Sequence, residues 1–368
     1  MKEQGYLLAV GITDYLPFLQ ESELAHGQAI IDDLLNGLYA AANESFPFVK
    51  VEQTTLYVLA PFALFSEGQV LVELVEHLYG VFAQQQGHMA QNTQCVCQAC
   101  KSLPMLDTQI VIHCGEYVVA QMAAQSDVLG LGMGVVRALS AQRLEEATYK
   151  GKAFWTEDSQ QYLGGDLLKG MASYEVEVEG KVIRGVVCDL RAAWEEQKAS
   201  RKPILVEPDE VMLTMSVDLP VPLAVAWDYI ADTKHRQFWL QADKLEVLNR
   251  LDGRVAVDSQ YVCMHGNIRI DQVVVDWRPL EYITMDVMPS PYLCIRQTAR
   301  LEAIDEGTRI IMDGKLMPQE TKGRQFISKM MFMMAKGMFN KSLAGSRQKL
   351  IELVQEEQVK VPVLEGES

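Results

Sequence analysis

The sequence lacks any apolar run near the roughly 20 residues that a membrane-spanning helix requires. It also lacks a basic excess, because 33 Lys and Arg stand against 49 Asp and Glu, which gives a net charge of -16. Nucleic-acid backbones and anionic membranes would repel such a chain, so this balance argues against both as partners. We therefore expect no nucleic-acid partner and no membrane insertion, while a small anion in a local pocket stays compatible with the charge.

The start of the sequence also lacks a signal-peptide pattern, since one Lys is followed by acidic and polar residues without a small-residue cleavage site. We expect a cytoplasmic protein in which the seven cysteines are reduced. The 368 residues predict two domains, and a hydrophobic content of 49% is enough for sizeable cores. We find neither internal repeats nor low-complexity segments.

The periodicity of the apolar residues predicts an α+β protein with two domains. The first domain covers residues 1–201, and its elements follow the β-α-β-β-α-β order of a ferredoxin-like sheet. Within it, residues 109–124 are predicted to form a hairpin that turns after Gly115. A segment rich in proline and charge, 202–209, is the predicted linker. The second domain covers 210–357, with a series of strands and a closing helix, and residues 358–368 form a tail.

Four segments of the first domain resemble class III nucleotidyl cyclases, and more closely the cyclase-related family DUF2652. The segments are AVGITDY at 9–15, EQTTL at 52–56, IHCGEYVVAQM at 112–122 and GLGMGVVRAL at 130–139. They occur in the order in which the cyclase fold places its first strand, a metal-binding hairpin, a later strand and a helix. Because cyclase domains work as head-to-tail dimers, the resemblance implies a homodimer through this domain.

The two positions that hold magnesium in the cyclases carry no carboxylate here. The resemblance places Gly11 and Thr54 where those enzymes have Asp residues on adjacent strands, which bind two metal ions. It places Lys50 where adenylyl cyclases read the base, and Arg137 where an Arg steadies transition-state charge. Two basic groups can hold an anion, but they cannot run metal-assisted cyclisation without the metals. We therefore predict a degenerate cyclase site, with no catalytic residue and no bound Mg-ATP.

A cluster of cysteines, CVCQAC, places Cys95, Cys97 and Cys100 within six residues, and His113 follows on the next strand. Thiolates and imidazole are good zinc ligands, and short spacing lets one turn supply several of them. The spacing C-x-C-x2-C is not that of a standard zinc knuckle, however, and a free cysteine is often a small buried hydrophobe. Two interpretations stay open: a structural zinc held by these four residues, or redox-silent thiols that only pack.

The second domain resembles the START-like or SRPBCC superfamily, which includes polyketide cyclase/dehydrase-like proteins. The resemblance rests on residues 217–239, where a strand, a Pro-led helix with Trp227 and a short helix with Trp239 follow one another. Further strands and a long helix over 319–356 complete the order. The resemblance implies a helix-grip fold, in which a curved antiparallel sheet wraps the C-terminal helix around an apolar cavity.

We predict that aromatic side chains and one face of the closing helix line this cavity. Methionine adapts to an irregular ligand surface, although the same stripe would also serve as ordinary core. Tyr261 and His265 could polarise a bound carbonyl, while a His followed by glycine is also typical of a turn. The predicted lining residues are Trp239, Tyr261, His265, Phe326, Met330, Met333 and Met334.

Two hypotheses for function follow. The first is a non-catalytic ligand-binding or regulatory protein, in which the degenerate domain is joined to a domain that holds a hydrophobic small molecule. The alternative is an enzyme, with residual nucleotide-dependent activity at Lys50 and Arg137 or with chemistry in the second cavity. The second domain shows no Ser-His-Asp order, no glycine-rich phosphate loop and no suitable carboxylate pair, which favours the first hypothesis.

Overall fold

A computed structural model describes residues 3–358 except 63, 66–67, 93–96, 123–124, 144–149, 162, 164–166, 168–170, 179, 199–201 and 250–254. The chain divides into two compact units, Met1–Ser200 and Arg201–Ser368. Each unit contains one main sheet with helices, so the predicted α+β class is confirmed. Within the described ranges, no helix combines the length and the apolar character needed to cross a bilayer.

The first unit is a mixed sheet with helices. In chain order its elements are β1 (Glu3–Thr13), α1 (Tyr15–Glu21), α2 (Leu24–Ser45), β2 (Phe48–Glu52), β3 (Thr55–Pro61), α3 (Gln69–Asn92), α4 (Gln98–Ser102), β4 (Asp107–Met122), β5 (Gln125–Leu129), α5 (Leu131–Arg143), β6 (Lys152–Thr156), α6 (Glu157–Gln160), β7 (Ala172–Val178), β8 (Lys181–Asp189) and α7 (Leu190–Lys198). Its described strands pair in the order β2-β3-β1-β4-β6-β8-β7, and β5 pairs with β4.

Strand β1 lies inside the sheet, between β3 and β4, and every residue from Gly5 to Thr13 is buried. A strand covered on both faces has no polar alternation, which explains the apolar run in the sequence. Strand β4 runs unbroken from Asp107 to Met122, so the predicted hairpin turn after Gly115 is wrong. Gly115 pairs with Gly5, and a Cβ on it would lie 3.5 Å from the Cα of Gly132. Because that distance is an ordinary van der Waals contact, Gly115 lies within the strand without a steric requirement for glycine, and it does not form a turn.

The second unit is an antiparallel sheet with one long helix. Its elements are β9 (Leu213–Leu219), α8 (Leu223–Ala231), α9 (Thr233–Trp239), β10 (Lys244–Asn249), β11 (Gln260–His265), β12 (Ile268–Arg278), β13 (Tyr282–Ser290), β14 (Leu293–Ile304), β15 (Gly307–Leu316) and α10 (Lys322–Gln358). The described strands pair in the order β10-β11-β12-β13-β14-β15-β9. Helix α10 packs on this sheet through a cluster of Leu213, Leu293, Ile295 and Phe332, with Phe339 and Leu343 at its margin.

The helix face that meets the sheet is not the predicted one. The side chains expected to line a cavity are exposed, with relative exposures of 69% for Phe326, 48% for Met330, 71% for Met333 and 81% for Met334. Phe332, by contrast, is 1% exposed. Two apolar stripes share the helical period here, and the buried one continues beyond the methionines to Leu350 and Val354. The prediction that these four residues line a cavity is therefore wrong.

Candidate functional site

The two degenerate metal positions lie side by side in the first unit. Gly11 of β1 pairs with Thr55 of β3, and the amide of Ile12 donates a hydrogen bond to the carbonyl oxygen of Thr54 at 3.1 Å. The structure thus brings positions 11 and 54 together at one end of the hairpin. Their side chains are a hydrogen atom and a neutral hydroxyl, whereas magnesium is usually held through carboxylates.

Two carboxylates near the end of β1 are already paired with cations. Asp14 follows β1 in a left-handed conformation, with φ 59°, and forms an ion pair with Lys150. Asp107 pairs with Thr13 in the sheet, is buried, and forms an ion pair with Arg191. Burial raises the pKa of Asp107, against hydrogen bonds that lower it. Both groups are therefore committed to contacts within the unit.

Lys50 and Arg137 lie together, as the resemblance implies, but they share two acidic partners that the sequence analysis missed. Lys50 Nζ lies 3.0 Å from Glu52 Oε1 and 3.3 Å from Asp127 Oδ1. Arg137 Nη2 lies 2.9 Å from the same Glu52 oxygen and 3.6 Å from the same Asp127 oxygen. The hydrogen bond to Glu52 raises the pKa of Lys50, against partial burial. The sequence does contain an indication of the Glu52 contact, because Glu52 follows Lys50 by two residues and therefore lies on the same face of β2.

This four-residue charge cluster neutralises itself. Two cations and two anions contact one another, and each side chain is a quarter to a third exposed. A phosphate would have to displace a carboxylate to reach either cation, and that exchange gains little where water screens the charges. The arrangement needs no ligand for its stability.

The predicted metal residues do not all meet. His113 is buried in β4, where its Nδ1 lies 2.9 Å from Thr156 Oγ1, so its predicted place beside the cysteines is wrong. Cys97 and Cys100 instead lie beside His26 of α2, which the sequence analysis missed. Cys95 falls outside the described residues. A histidine 71 residues before Cys97 gives no local spacing signal, because only the fold brings it to the cysteines.

The second unit contains a buried cation of a different kind. Asp232 caps α9 by accepting hydrogen bonds from the amides of Lys234 and His235, and Arg236 follows one turn later. Arg236 is only 3% exposed. Asp232 and Arg236 are four residues apart, so they lie on the same face of α9, and both are buried.

The guanidinium of Arg236 has weak, uncharged partners. Its Nη2 donates to Gln272 Oε1 at 2.8 Å and lies 3.2 Å from Met285 Sδ. Its carbon lies 4.5 Å from the centroid of the Tyr261 ring. Burial raises the pKa of the Cys263 thiol to about 11, so that thiol stays neutral and supplies no counter-charge. Among the described residues no carboxylate pairs with Arg236, and its buried Nη1 has no hydrogen-bond partner.

Strand register places this arginine inside the helix grip. Tyr261 pairs with Gln272, and the alternate residue on β12, Val274, pairs with Met285. Met285 pairs in turn with Gln297 of β14, which lies two residues from Ile295 and therefore on the same face. Ile295 belongs to the cluster that packs on α10. Arg236 consequently contacts the helix-facing side of the sheet.

Two family models match the sequence in separate regions. Residues 31–149 match the model described as Protein of unknown function (DUF2652). Residues 210–350 match the model described as Polyketide cyclase / dehydrase and lipid transport. The chain joins a DUF2652 region to a polyketide cyclase-like region. The two-domain resemblance found in the sequence is thereby confirmed.

Several solved structures match parts of the chain at low identity. The adenylyl cyclase CyaB from P. aeruginosa is 12% identical, covering 50% of this chain and 94% of its own, with a TM-score of 0.38. The guanylyl cyclase Cya2 is 13% identical over 50% of this chain and 92% of its own, with a TM-score of 0.38. Protein MLL2253 from Mesorhizobium loti is 13% identical over 41% and 98%, with a TM-score of 0.30. No curated protein matches the chain.

Three predicted cavity residues of the polyketide cyclase-like region lie in different settings. Tyr261 contacts Arg236, and His265 lies on the same face of β11, with its Nε2 3.1 Å from Cys263 Sγ. Trp239 is buried and donates from Nε1 to the carbonyl of Tyr229 at 2.7 Å, so it ties α9 to α8. Arg236 itself was missed, because Lys, His and Arg follow one another in TKHRQFW and the sequence does not show which one is buried.

Proposed function

We propose that the polyketide cyclase-like region binds an apolar molecule that carries one anionic group, and that Arg236 is the counter-ion of this group. The observation that carries the proposal is the buried guanidinium whose Nη1 has no partner among the described residues. An arginine cannot escape its charge by losing a proton. An unpaired buried charge costs several kcal/mol, roughly, which a bound anion would recover.

A carboxylate is the anionic group that fits these contacts best. Nη2 already donates to Gln272, so Nη1 is the nitrogen left for a ligand, and guanidinium groups form strong charge-assisted hydrogen bonds with carboxylates. The surrounding ring, thioether and aliphatic side chains favour an apolar body for the ligand. The family description, which names lipid transport, supports a ligand of this class. We therefore propose a monocarboxylate of fatty-acid type.

We propose a non-catalytic, regulatory role for the DUF2652-containing unit. The identities of Gly11 and Thr54 support this, because neither supplies the carboxylate that metal-assisted cyclisation requires. The self-neutralised cluster of Lys50, Arg137, Glu52 and Asp127 supports it further, since both basic groups are already paired.

The test compares oleate with its uncharged methyl ester. Arg236→Met keeps the apolar bulk and removes the charge, and binding is measured by displacement of a fluorescent fatty acid from the full chain. We expect oleate to bind the variant about tenfold or more weakly, which is ~1.4 kcal/mol, and the ester to bind both proteins equally. Arg296→Met is the matched control, because Arg296 contacts Asp286 at 2.7 and 2.8 Å. Equal loss of oleate and ester binding, or no loss of either, would contradict the proposal.

A further inference from the structure

We infer that His26, Cys97 and Cys100 form a zinc site in the first unit. One ligand atom from each of the three side chains lies within 4.8 Å of the others. Cys97 Sγ is 3.2 Å from His26 Nδ1, and Cys100 Sγ is 3.9 Å from His26 Nε2. Tetrahedral zinc, with bonds of about 2.1 Å to nitrogen and about 2.3 Å to sulfur, places neighbouring ligands roughly 3.5 to 3.8 Å apart. The two distances run to different ring nitrogens, and only one nitrogen binds a given ion, so a small rotation of the imidazole brings the three ligand atoms, which lie within 4.8 Å of one another, to this spacing.

The chemistry of the ligands favours zinc over magnesium or calcium. Thiolate and imidazole are softer than the oxygen ligands that hard cations prefer. Two thiolates neutralise a divalent ion, so a neutral histidine adds a third ligand without excess charge, and a water molecule would take the fourth tetrahedral position. Cys97 and Cys100 have the C-x2-C spacing that lets one turn supply two ligands. All three side chains are partly buried, which shields the ion while leaving a route for exchange.

The backbone around the two cysteines is held in a shape that suits metal-bound sulfur. The amide of Cys100 donates a hydrogen bond to Cys97 Sγ at 3.4 Å, which orients that sulfur within the turn. The carboxylate of Glu23 accepts hydrogen bonds from the amides of Gln98 and Ala99 at 3.4 and 3.3 Å. Glu23 also occupies the N-cap position of α2, where its backbone carbonyl accepts a hydrogen bond from the amide of His26. One residue therefore positions both the histidine and the cysteine turn.

The test measures zinc bound to the untagged full chain, because a histidine tag would carry zinc of its own. The protein is purified without chelators, incubated with zinc, desalted and analysed by elemental mass spectrometry. We expect about one zinc per chain in the wild type, and about a tenth of that or less in Cys97→Ser and in His26→Ala. Cys188→Ser is the control, since Cys188 lies in β8 outside this group, and it should retain the wild-type content.

A ligand-conserving variant and a cobalt spectrum distinguish the loss of a zinc ligand from misfolding of the variant. His26→Cys replaces one good zinc ligand by another, so it should retain zinc where His26→Ala loses it. Cobalt in place of zinc should give a thiolate-to-metal charge-transfer band that Cys100→Ser weakens. The inference is overturned if the wild type binds no zinc, if both cysteine variants keep it, or if a Cys97–Cys100 disulfide is found without metal. These outcomes are independent of oleate binding by the other unit.

Discussion

Two arginines, Arg137 in the first unit and Arg236 in the second, make the same aromatic contact in opposite surroundings. The guanidinium carbon lies 5.3 Å from the ring centroid of Tyr57 in one case and 4.5 Å from that of Tyr261 in the other. The side chain of Arg137 is 35% exposed, whereas Arg236 is 3% exposed as a residue. The ring contact is therefore not what distinguishes them.

The difference lies in the charges around each arginine. Glu52 and Asp127 both contact Arg137, at a place where water would have screened it anyway. Arg236 meets an amide oxygen and a thioether where screening is weakest. If stability alone decided, the carboxylate partners would be expected beside Arg236 and not beside Arg137, because an unpaired charge costs most in the interior. The anionic ligand proposed above would supply the partner that this buried arginine lacks.

The largest expected effect comes from giving Arg236 the partner that Arg137 already has. Gln272→Glu places a carboxylate where an amide oxygen now lies 2.8 Å from Nη2. The new ion pair should remove the need for an external anion, so we expect oleate affinity to fall about 100-fold, or ~2.7 kcal/mol. Gln297→Glu is the control, since it adds the same charge on the same sheet face, two strands away. Wild-type affinity in Gln272→Glu would show that Arg236 does not bind the carboxylate.

How far the sequence predicted these features depends on whether they are local. The order of elements and both family resemblances come from short segments, and they are confirmed. The face of α10 was not predictable from its methionine stripe, because a parallel stripe through Phe332 extends further along the helix. His26 and Arg236 gain their meaning only from partners distant in the chain. The homodimer and the participation of Cys95 stay predictions.

Replacing either arginine by methionine should have a smaller effect, on stability, and we expect a gain for Arg236 and almost no change for Arg137. Arg236→Met removes an unpaired buried charge, which stabilises, and leaves Gln272 Oε1 without its donor, which costs about 1 kcal/mol. We expect the ligand-free second unit to gain roughly 1 kcal/mol in free energy of unfolding. Arg137→Met should change the first unit by no more than about 0.5 kcal/mol, because its pairs are partly exposed. Denaturant unfolding of ligand-free protein measures both. A loss of several kcal/mol in Arg236→Met would make Arg236 a structural residue.

The smallest expected effect is the pH dependence of stability that His113 causes. His113 is buried like Arg236, but it can stay neutral and so avoids the cost of an unpaired buried charge. Burial lowers the pKa of His113, against Asp158, which raises it. The unfolded chain therefore binds more protons than the folded one below about pH 6.5, and the first unit loses stability as pH falls from there through the folded pKa.

His113→Gln cannot take up that proton, so it should lose less stability over this pH range than the wild type. His88→Gln, at an exposed position of α3, should follow the wild type. Chemical unfolding at a series of pH values gives the slope for each protein, and identical slopes in His113→Gln and the wild type would contradict the assignment. A buried histidine can lose its charge by releasing a proton, whereas a buried arginine keeps its charge and is neutralised only by a nearby anion. This difference is why the first unit can bury His113 without a ligand, and why we propose an anionic ligand for Arg236 in the second.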